Sequence, residues 1–391
     1  MDFQLNDDQK ALVSLAERLG REIFAPQAAR WDREHAYPHT NVEELRQAGL
    51  LGMTIPTRFG GQERPLIDVA LVVEQIARHC GVTARIVVET NVGALGCIMA
   101  YGSEAQQREV ARRILEDGDK PAIAMTEPNA GTDLGALTTT AVEKDGYYLV
   151  NGSKHWITGG GISRTNFVFA RIIDRAGRDL GIGGILIDKD TPGFRFGRVE
   201  DAMGLRGIPE TELFFDDCEV PAENLVLPEP GNSFKKLMNG YNAQRIGASS
   251  VALGIAQGAH DLALAYMGQR RSGGRRLEDY QGLRWLAAEG EVKLQAARLL
   301  IHRAACNARH LPNNVMLPDM KEASIAKVFS AHKAFEVVSE ALQMFGAAGY
   351  SRDLPLERML RDVRMFQIGG GTSQAQLNMI ARALFPGGER P

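Results

Sequence analysis

The chain carries no excess of positive charge: 45 Lys and Arg stand against 48 Asp and Glu, a formal net charge of −3. Attraction to nucleic acid or to an anionic membrane surface is therefore not expected. No window approaches the ~18 uninterrupted apolar residues of a membrane span. The start, Met1-Asp2-Phe3-Gln4, lacks the basic region, apolar core and small-residue cleavage site of a secretory leader. Cysteine is sparse. Cys80, Cys97, Cys218 and Cys306 lie far apart and form no C-x-x-C pair, so they read as reduced core residues of a cytoplasmic protein, and no metal site is expected. Also missing are G-x-G-x-x-G, G-x-x-x-x-G-K-[ST], H-E-x-x-H and G-x-S-x-G. A dinucleotide-binding Rossmann enzyme, a P-loop enzyme, a zincin and an α/β hydrolase each lose their main support. There is no internal repeat and no low-complexity tract.

What is present is a globular composition, 44% apolar and 24% charged over 391 residues, long enough for two or three packed regions. From Gln9 to about Leu115 apolar residues recur at helical spacing, as in Leu12, Leu15, Ala16 and Leu19. Near Pro121 the texture turns to β-branched runs. Tyr147-Tyr148-Leu149-Val150 leads into Asn151-Gly152, which reads as a hairpin turn. Phe167–Ile173, Gly184–Ile187 and Glu212–Phe215 read as further strands. After Pro228 and Pro230 helical spacing returns, with long segments near 233–268, 280–310 and 319–347. The expected fold is α+β, mainly α: a helical domain over 1–120, a β domain over 121–230 and a helical domain over 231–391. That order argues against a doubly wound sheet.

Two stretches of the β region carry chemistry. Ala124-Met125-Thr126-Glu127-Pro128-Asn129-Ala130-Gly131-Thr132-Asp133 offers hydroxyls and glycine-adjacent amides that can approach a pyrophosphate or a ring edge. Asn151-Gly152-Ser153-Lys154-His155-Trp156-Ile157-Thr158-Gly159-Gly160 sets a large aromatic two residues from a hydroxyl, on one face of a strand. Spacing alone favours a hairpin with an incidental buried Trp. His155 reads as a surface or packing residue, and so do the other seven histidines.

Together these stretches resemble the T-E-P-x-A-G-S-D and N-G-x-K-x-W-I-T-N signatures of the acyl-CoA dehydrogenase family. The resemblance runs along the whole chain through Phe59-Gly60-Gly61, Tyr101-Gly102-Ser103-Glu104, Gln343-Met344-Phe345-Gly346, Arg361-Asp362 and Gly371-Thr372-Ser373-Gln374. It implies an N-terminal helical domain, a central β domain and a C-terminal four-helix domain, assembled as a homotetramer, with FAD as cofactor and an acyl-CoA thioester as substrate. Carried over by position, Met125, Thr126, Trp156 and Thr158 would contact the isoalloxazine, and Thr132 the phosphates or CoA. Arg270, Gln281, Gln343, Gly346, Thr372 and Gln374 would hold the adenosine and pyrophosphate end, and Arg245 the CoA part. One departure touches the cofactor: the family's R-x-x-F-G reads Arg270-Arg271-Ser272-Gly273-Gly274, without the packing phenylalanine.

A larger departure touches catalysis. Desaturation needs a carboxylate over the thioester α-carbon. Most family members set that Glu before Gly-Thr in the last motif, where this chain has Gly370; a second branch sets it before the conserved Arg, where this chain has Gln244. Gln keeps the shape of Glu without a titratable acceptor. Arg85 and Glu89, at i,i+4 in an otherwise apolar helix, fall on one face. Glutaryl-CoA dehydrogenases use an arginine in this neighbourhood for a distal carboxylate, and a planar guanidinium suits a carboxylate or sulfinate. A plain intrahelical ion pair is the bland alternative. The base-less site resembles the 3-sulfinopropionyl-CoA desulfinase branch, as do Tyr241-Asn242-Ala243-Gln244-Arg245 and Arg206-Gly207-Ile208-Pro209-Glu210-Thr211. That branch releases sulfite and yields propionyl-CoA without net redox change. The expected roles are Arg85 for the sulfinate, Gln244 at the former base position, Gly370 lining the substrate and Arg245 for CoA. Other readings stay open: a dehydrogenase with Glu89 as base, a flavin monooxygenase of the same fold, or a silent CoA- or flavin-binding protein.

Overall fold

The first helix, Asp7–Leu19, opens on a reciprocal cap. Asn6 Oδ1 accepts from Gln9 N at 2.8 Å while Asn6 N donates to Gln9 Oε1, satisfying two donors the helix start leaves free. The computed structural model describes residues 4–227, 229–311 and 315–387; residues 1–3, part of the no-leader reading, and Pro228, at the expected return to helix, lie outside them. Helices continue to Glu104–Asp117, which starts on a second capping box at Ser103 and ends at Gly118 in the left-handed region. Leu66–Ala77 and Gly81–Asn91 are almost wholly buried, as their near-continuous apolar sequence requires. The stretch Gly81–Tyr101 is long and apolar enough to cross a membrane, but 89% of its apolar window is buried inside the protein.

The middle of the chain forms one sheet from β1 (Ala122–Ala124), β2 (Thr140–Glu143), β3 (Tyr147–Thr158), β4 (Thr165–Ile173), β5 (Asp179–Asp188), β6 (Phe194–Val199), β7 (Glu210–Pro221) and β8 (Leu225–Val226). The order is β6-β7-β3-β2-β4-β5-β8, with β1 parallel to β4. The hairpin expected at Asn151-Gly152 is not there. β3 runs straight through both residues, and the turn lies earlier, where Lys144 N donates to Tyr147 O and Gly146 has φ +83°. Gly152 marks a bulge against β7, and a Cβ on it would come within 2.6 Å of Thr139 Oγ1. The glycine is needed there for close approach rather than for reversal.

Ser233–Gln269, Gln281–Cys306 and Met320–Phe345 are the long helices of the last third, joined by Ser373–Leu384. The first of these presses onto the buried N-terminal helices through glycines. A Cβ at Gly247 would sit 2.5 Å from Val88 Cγ1, and one at Gly254 would sit 2.3 Å from Glu74 O. Backbone-close packing therefore fixes helix Gly81–Asn91 beside Tyr241–Arg245. Arg298 to Glu74 (2.7 Å) and Arg361 to Asp32 (2.6 Å) tie the two helical regions further.

Candidate active site

Arg85 leaves helix Gly81–Asn91 toward the sheet with 12% of its side chain exposed, and all three guanidinium nitrogens are engaged. Nε donates to Glu89 Oε1 at 3.1 Å, Nη2 to Thr158 Oγ1 at 2.6 Å, and Nη1 lies 2.9 Å from Glu210 Oε1. Thr158 in turn donates to Glu210 Oε2 at 2.8 Å. The second oxygen of Glu89 pairs with Lys120, which also donates to Thr158 O. Lys120 is 1% exposed and can approach because residue 159 is glycine: a Cβ there would lie 2.3 Å from its Nζ. Two cations and two carboxylates thus form one buried, charge-balanced group. Arg85 is engaged within the protein, and its bond to Glu89 is buried and not a pair on a wet helix face.

A second group lies alongside on the long helix and the last loop. Gln244 Oε1 is buried without a hydrogen-bond partner, pressed toward Gly93, whose Cβ would meet it at 2.8 Å. Arg245 is 2% exposed; it donates to Asn242 Oδ1, its Nε has no acceptor, and burial lowers its pKa. Lys327, equally buried, donates to Gly369 O and Gly371 O, and burial, with Arg245 adding to it, pushes its ammonium down to about 7. Among the described residues neither Arg245 nor Lys327 has a carboxylate partner. Gly370 has φ +68°, and a Cβ on it would sit 3.4 Å from Lys327 Nζ and 3.6 Å from Tyr241 Oη. Burial pushes the Tyr241 hydroxyl up to about 12, and it feels the charges of both Arg85 and Glu89. Tyr241 thus feels the Arg85 group while its hydroxyl stands beside the Gly370 loop, and neither Gly370 nor Gln244 brings a carboxylate there.

The segment expected at the ring edge is clamped from beneath. Glu127 accepts from the amides of Thr138 and Thr139 at 2.7 and 2.9 Å, from both hydroxyls, and from Lys154 Nζ at 2.8 Å. Those bonds hold its carboxyl down to about 2 against the opposing effect of burial. Lys154 also donates to Met125 O, and His155 N donates to Thr126 O at 2.9 Å. Met125 and Thr126 thereby lie beside Trp156. The indole is not buried: it is 53% exposed, with φ +59° at a bulge against β7, and it stacks on His155 at 5.1 Å. His155 is half-buried and bonds Glu200 at 3.1 Å.

The remaining sequence candidates are scattered. Thr132 lies on an exposed loop, and Arg270, Gln281, Gln343, Gly346 and Gln374 are all exposed. Thr372 caps helix Ser373–Leu384 by accepting from Ala375 N. No hydrogen bond or ion pair among the described residues joins any of them to the Arg85 group. Gly273 and Gly274, at φ +54° and +79°, form the tight turn of a two-strand hairpin, which is why no large side chain stands at 273. Sequence reasoning missed Glu210, Lys120 and Lys327. The signal for Glu210 was an acid at the start of a strand directly after proline; the two lysines gave none.

Known proteins match this arrangement along its length. The acyl-CoA dehydrogenase N-terminal, middle and C-terminal domain models match residues 6–117, 122–218 and 233–385. A 3-sulfinopropanoyl-CoA desulfinase of Paraburkholderia xenovorans (strain LB400) is 46% identical over 98% of this chain and 97% of its own. The butyryl-CoA dehydrogenase of Megasphaera elsdenii superposes with a TM-score of 0.92 at 34% identity, over 98% of this chain and 100% of its own. A glutaryl-coenzyme A dehydrogenase in complex with glutaryl-CoA gives 0.91 at 27% identity, covering 100% and 98%. With three domain models in register over nearly every described residue, the chain belongs to the acyl-CoA dehydrogenase family.

Proposed function

We propose that this enzyme is an FAD-containing 3-sulfinopropionyl-CoA desulfinase, which releases sulfite and leaves propionyl-CoA. The observation that carries the reading is the reacting space itself: Gly370 and Gln244 bring no carboxylate to it, while a guanidinium stands at its edge. Four relatives bearing the desulfinase name, at 42–46% identity over nearly the full length, support it.

The residues fit a flat flavin. An indole more than half exposed beside the Thr158 hydroxyl and the Thr126 backbone offers an apolar face with hydrogen-bonding groups at its edge. Met125, Thr126, Trp156 and Thr158 would hold the isoalloxazine, with Thr132, Arg270, Gln281, Gln343, Gly346, Thr372 and Gln374 toward the phosphates and adenosine. When bound, FAD supplies a hydride acceptor that this reaction leaves unused.

The chain's own residues do the rest. Arg245, a buried cation without a counter-ion among the described residues, steadies the CoA portion, and Arg85 takes the anionic head as a two-pronged donor. Gln244 fills the place of a base and offers only an amide, so no α-proton is removed. Glu89, each oxygen held by a cation, serves as counter-ion rather than base. The balance is sulfinate thioester plus water giving propionyl thioester plus hydrogen sulfite. Assembly as a homotetramer is supported by the exposed stripe Trp285, Val292 and Leu299 on one helix, at seven-residue spacing. A cytoplasmic location is supported by four unpaired cysteines.

One assay tests the function. Purified, FAD-loaded protein is given 3-sulfinopropionyl-CoA and, separately, butyryl- or glutaryl-CoA. Sulfite without flavin bleaching is expected. Anaerobic bleaching by an acyl-CoA with no sulfite from the sulfinate would instead mark a dehydrogenase.

A further inference from the structure

Each Arg85 nitrogen already faces one partner, and among the described residues only the second N–H of Nη1 and of Nη2 is left for an incoming anion. A two-pronged sulfinate that takes the guanidinium edge now turned to a carboxylate must displace that group, and the two carboxylates are not held alike. Glu89 sits between two cations, Arg85 and Lys120. Glu210 has one cation, Arg85, and beyond it a neutral hydroxyl, Thr158. Glu210 is the weaker-held partner and the one that yields.

The charges then no longer balance. Arg85 and Lys120 offset Glu89 and Glu210, with side-chain exposures of 12%, 1%, 9% and 14%. A third anion brought into this space carries a large desolvation cost unless a proton comes with it. The groups facing Glu210 are Arg85 and Glu89 on helix Gly81–Asn91, Lys120 ahead of β1, Thr158 on β3 and, beyond Arg85, Tyr241 on the long helix. Burial already pushes the Glu210 carboxyl up, and Glu89 adds to this against Arg85, Thr158 and Lys120. Losing Arg85 to the sulfinate removes the largest of the opposing influences.

We propose that Glu210 is the proton donor of the cleavage step: the sulfinate takes its place on Arg85, the carboxyl gains a proton in exchange, and that proton ends on the carbon that loses sulfur. This rests on the desulfinase reading and deepens it. The carbon–sulfur bond breaks with its electron pair left on carbon; sulfur dioxide departs, and the carbon takes the proton from Glu210, forming the methyl group of the propionyl thioester. Water adds to sulfur dioxide to give hydrogen sulfite and one proton, which restores the proton taken up on binding. Glu210 returns to Arg85 as a carboxylate. Tyr241, the other acidic hydroxyl at this space, is pushed up to about 12 and is the weaker acid. The network nears solvent on its far side, where Lys120, Tyr37 and Asp119 line a cleft of about 460 Å³.

The test uses the FAD-loaded enzyme and Glu210→Gln, with Glu210→Asp as a second variant that keeps the acid. Succinyl-CoA, an unreactive thioester with a carboxylate head, is titrated calorimetrically in two buffers of different ionisation enthalpy. The wild type should take up about one proton per site and Glu210→Gln about none. With 3-sulfinopropionyl-CoA, kcat for sulfite should fall on the order of 100-fold in Glu210→Gln while KM does not rise, general acids contributing about 10²–10⁴. Glu210→Asp should retain measurable turnover with a displaced pH profile. Sulfite from the wild type together with undiminished kcat in Glu210→Gln, or unchanged proton uptake in that variant, overturns the assignment alone. No sulfite from the wild type overturns the reaction, and the donor with it.

Discussion

Replacing Arg85 by lysine separates anchoring from folding. Alanine would leave Glu210 with only the Thr158 hydroxyl, and a buried charge stripped of its partner costs about 3–5 kcal/mol, so function and stability would fall together. Lysine keeps the positive charge, but a single Nζ cannot replace Nε, Nη1 and Nη2, which reach Glu89, Glu210 and Thr158 in three directions. The loss falls on two-pronged recognition of the head group. One charge-assisted hydrogen bond contributes about 1.5–3 kcal/mol, and each ~1.4 kcal/mol is tenfold in rate, so kcat/KM for the sulfinate thioester should drop by roughly 10- to 100-fold. The assay pairs sulfite release with binding of butyryl-CoA, which has no anionic head, followed by perturbation of the flavin spectrum. Butyryl-CoA binding should be unchanged. If both quantities fall together, Arg85 shapes the site as a whole and does not read the head group; if neither falls, it takes no part.

Three further outcomes follow from the same geometry. Gln244→Glu should bring anaerobic flavin bleaching by butyryl-CoA to an enzyme that lacks it, because a carboxylate would replace an unpartnered amide oxygen; absence of bleaching in a correctly folded variant counts against the base-less reading. Glu127→Gln should cost about 3–5 kcal/mol in denaturant unfolding, since it strands Lys154 in the core, and Glu127→Gln with Lys154→Met should recover part of that loss. The Glu127 carboxyl is held down to about 2, so its contribution is complete above the ordinary carboxylate range and is lost as pH falls from 4.5 toward 2. Asp362 has the opposite sign: burial raises its carboxyl to about 6, although it accepts from Leu205 N at 2.6 Å. Its stabilising effect is full below pH 3.8 and lost as pH rises through 6, so Asp362→Asn should unfold with a flatter pH dependence over that window, by up to about 3 kcal/mol; an unchanged profile refutes this.

Much of the fold was legible because its signals are local. Leu12, Ala16 and Leu19 keep helical spacing and are all buried in the first helix, and Phe167–Ile173 lies within β4. Asn151-Gly152 misled because the same glycine serves a turn and a bulge, and only Thr139, 13 residues away in β2's approach, decides which. Gly370 and Gln244 stood out for another reason: each is a departure at a fixed place in a motif. The contacts of Glu210 were not legible, because they are made only across three segments. Helix Gly81–Asn91 supplies the arginine, β3 the hydroxyl and the approach to β1 the lysine. Charge balance among residues 85, 89, 120 and 210 is a property of the packed molecule, and no periodicity encodes it.

The two sides of the reacting space differ in a way that bears on the chemistry. The Arg85 side is neutral as a group, whereas on the other side Arg245 and Lys327 are buried cations with no acid paired to them among the described residues. A carboxylate at 370 would stand close to Lys327 Nζ, 3.4 Å from where its Cβ would begin, and would offset that charge. Glycine at 370 leaves the charge uncompensated until a polyanionic thioester arrives. Burial, with Arg245 adding to it, pushes the Lys327 ammonium down to about 7 while it donates to Gly369 O and Gly371 O, so an anion placed beside it would favour its charged form. Glycine at 370 therefore turns this wall toward anions, which suits a substrate negative at both ends better than it suits a neutral acyl chain.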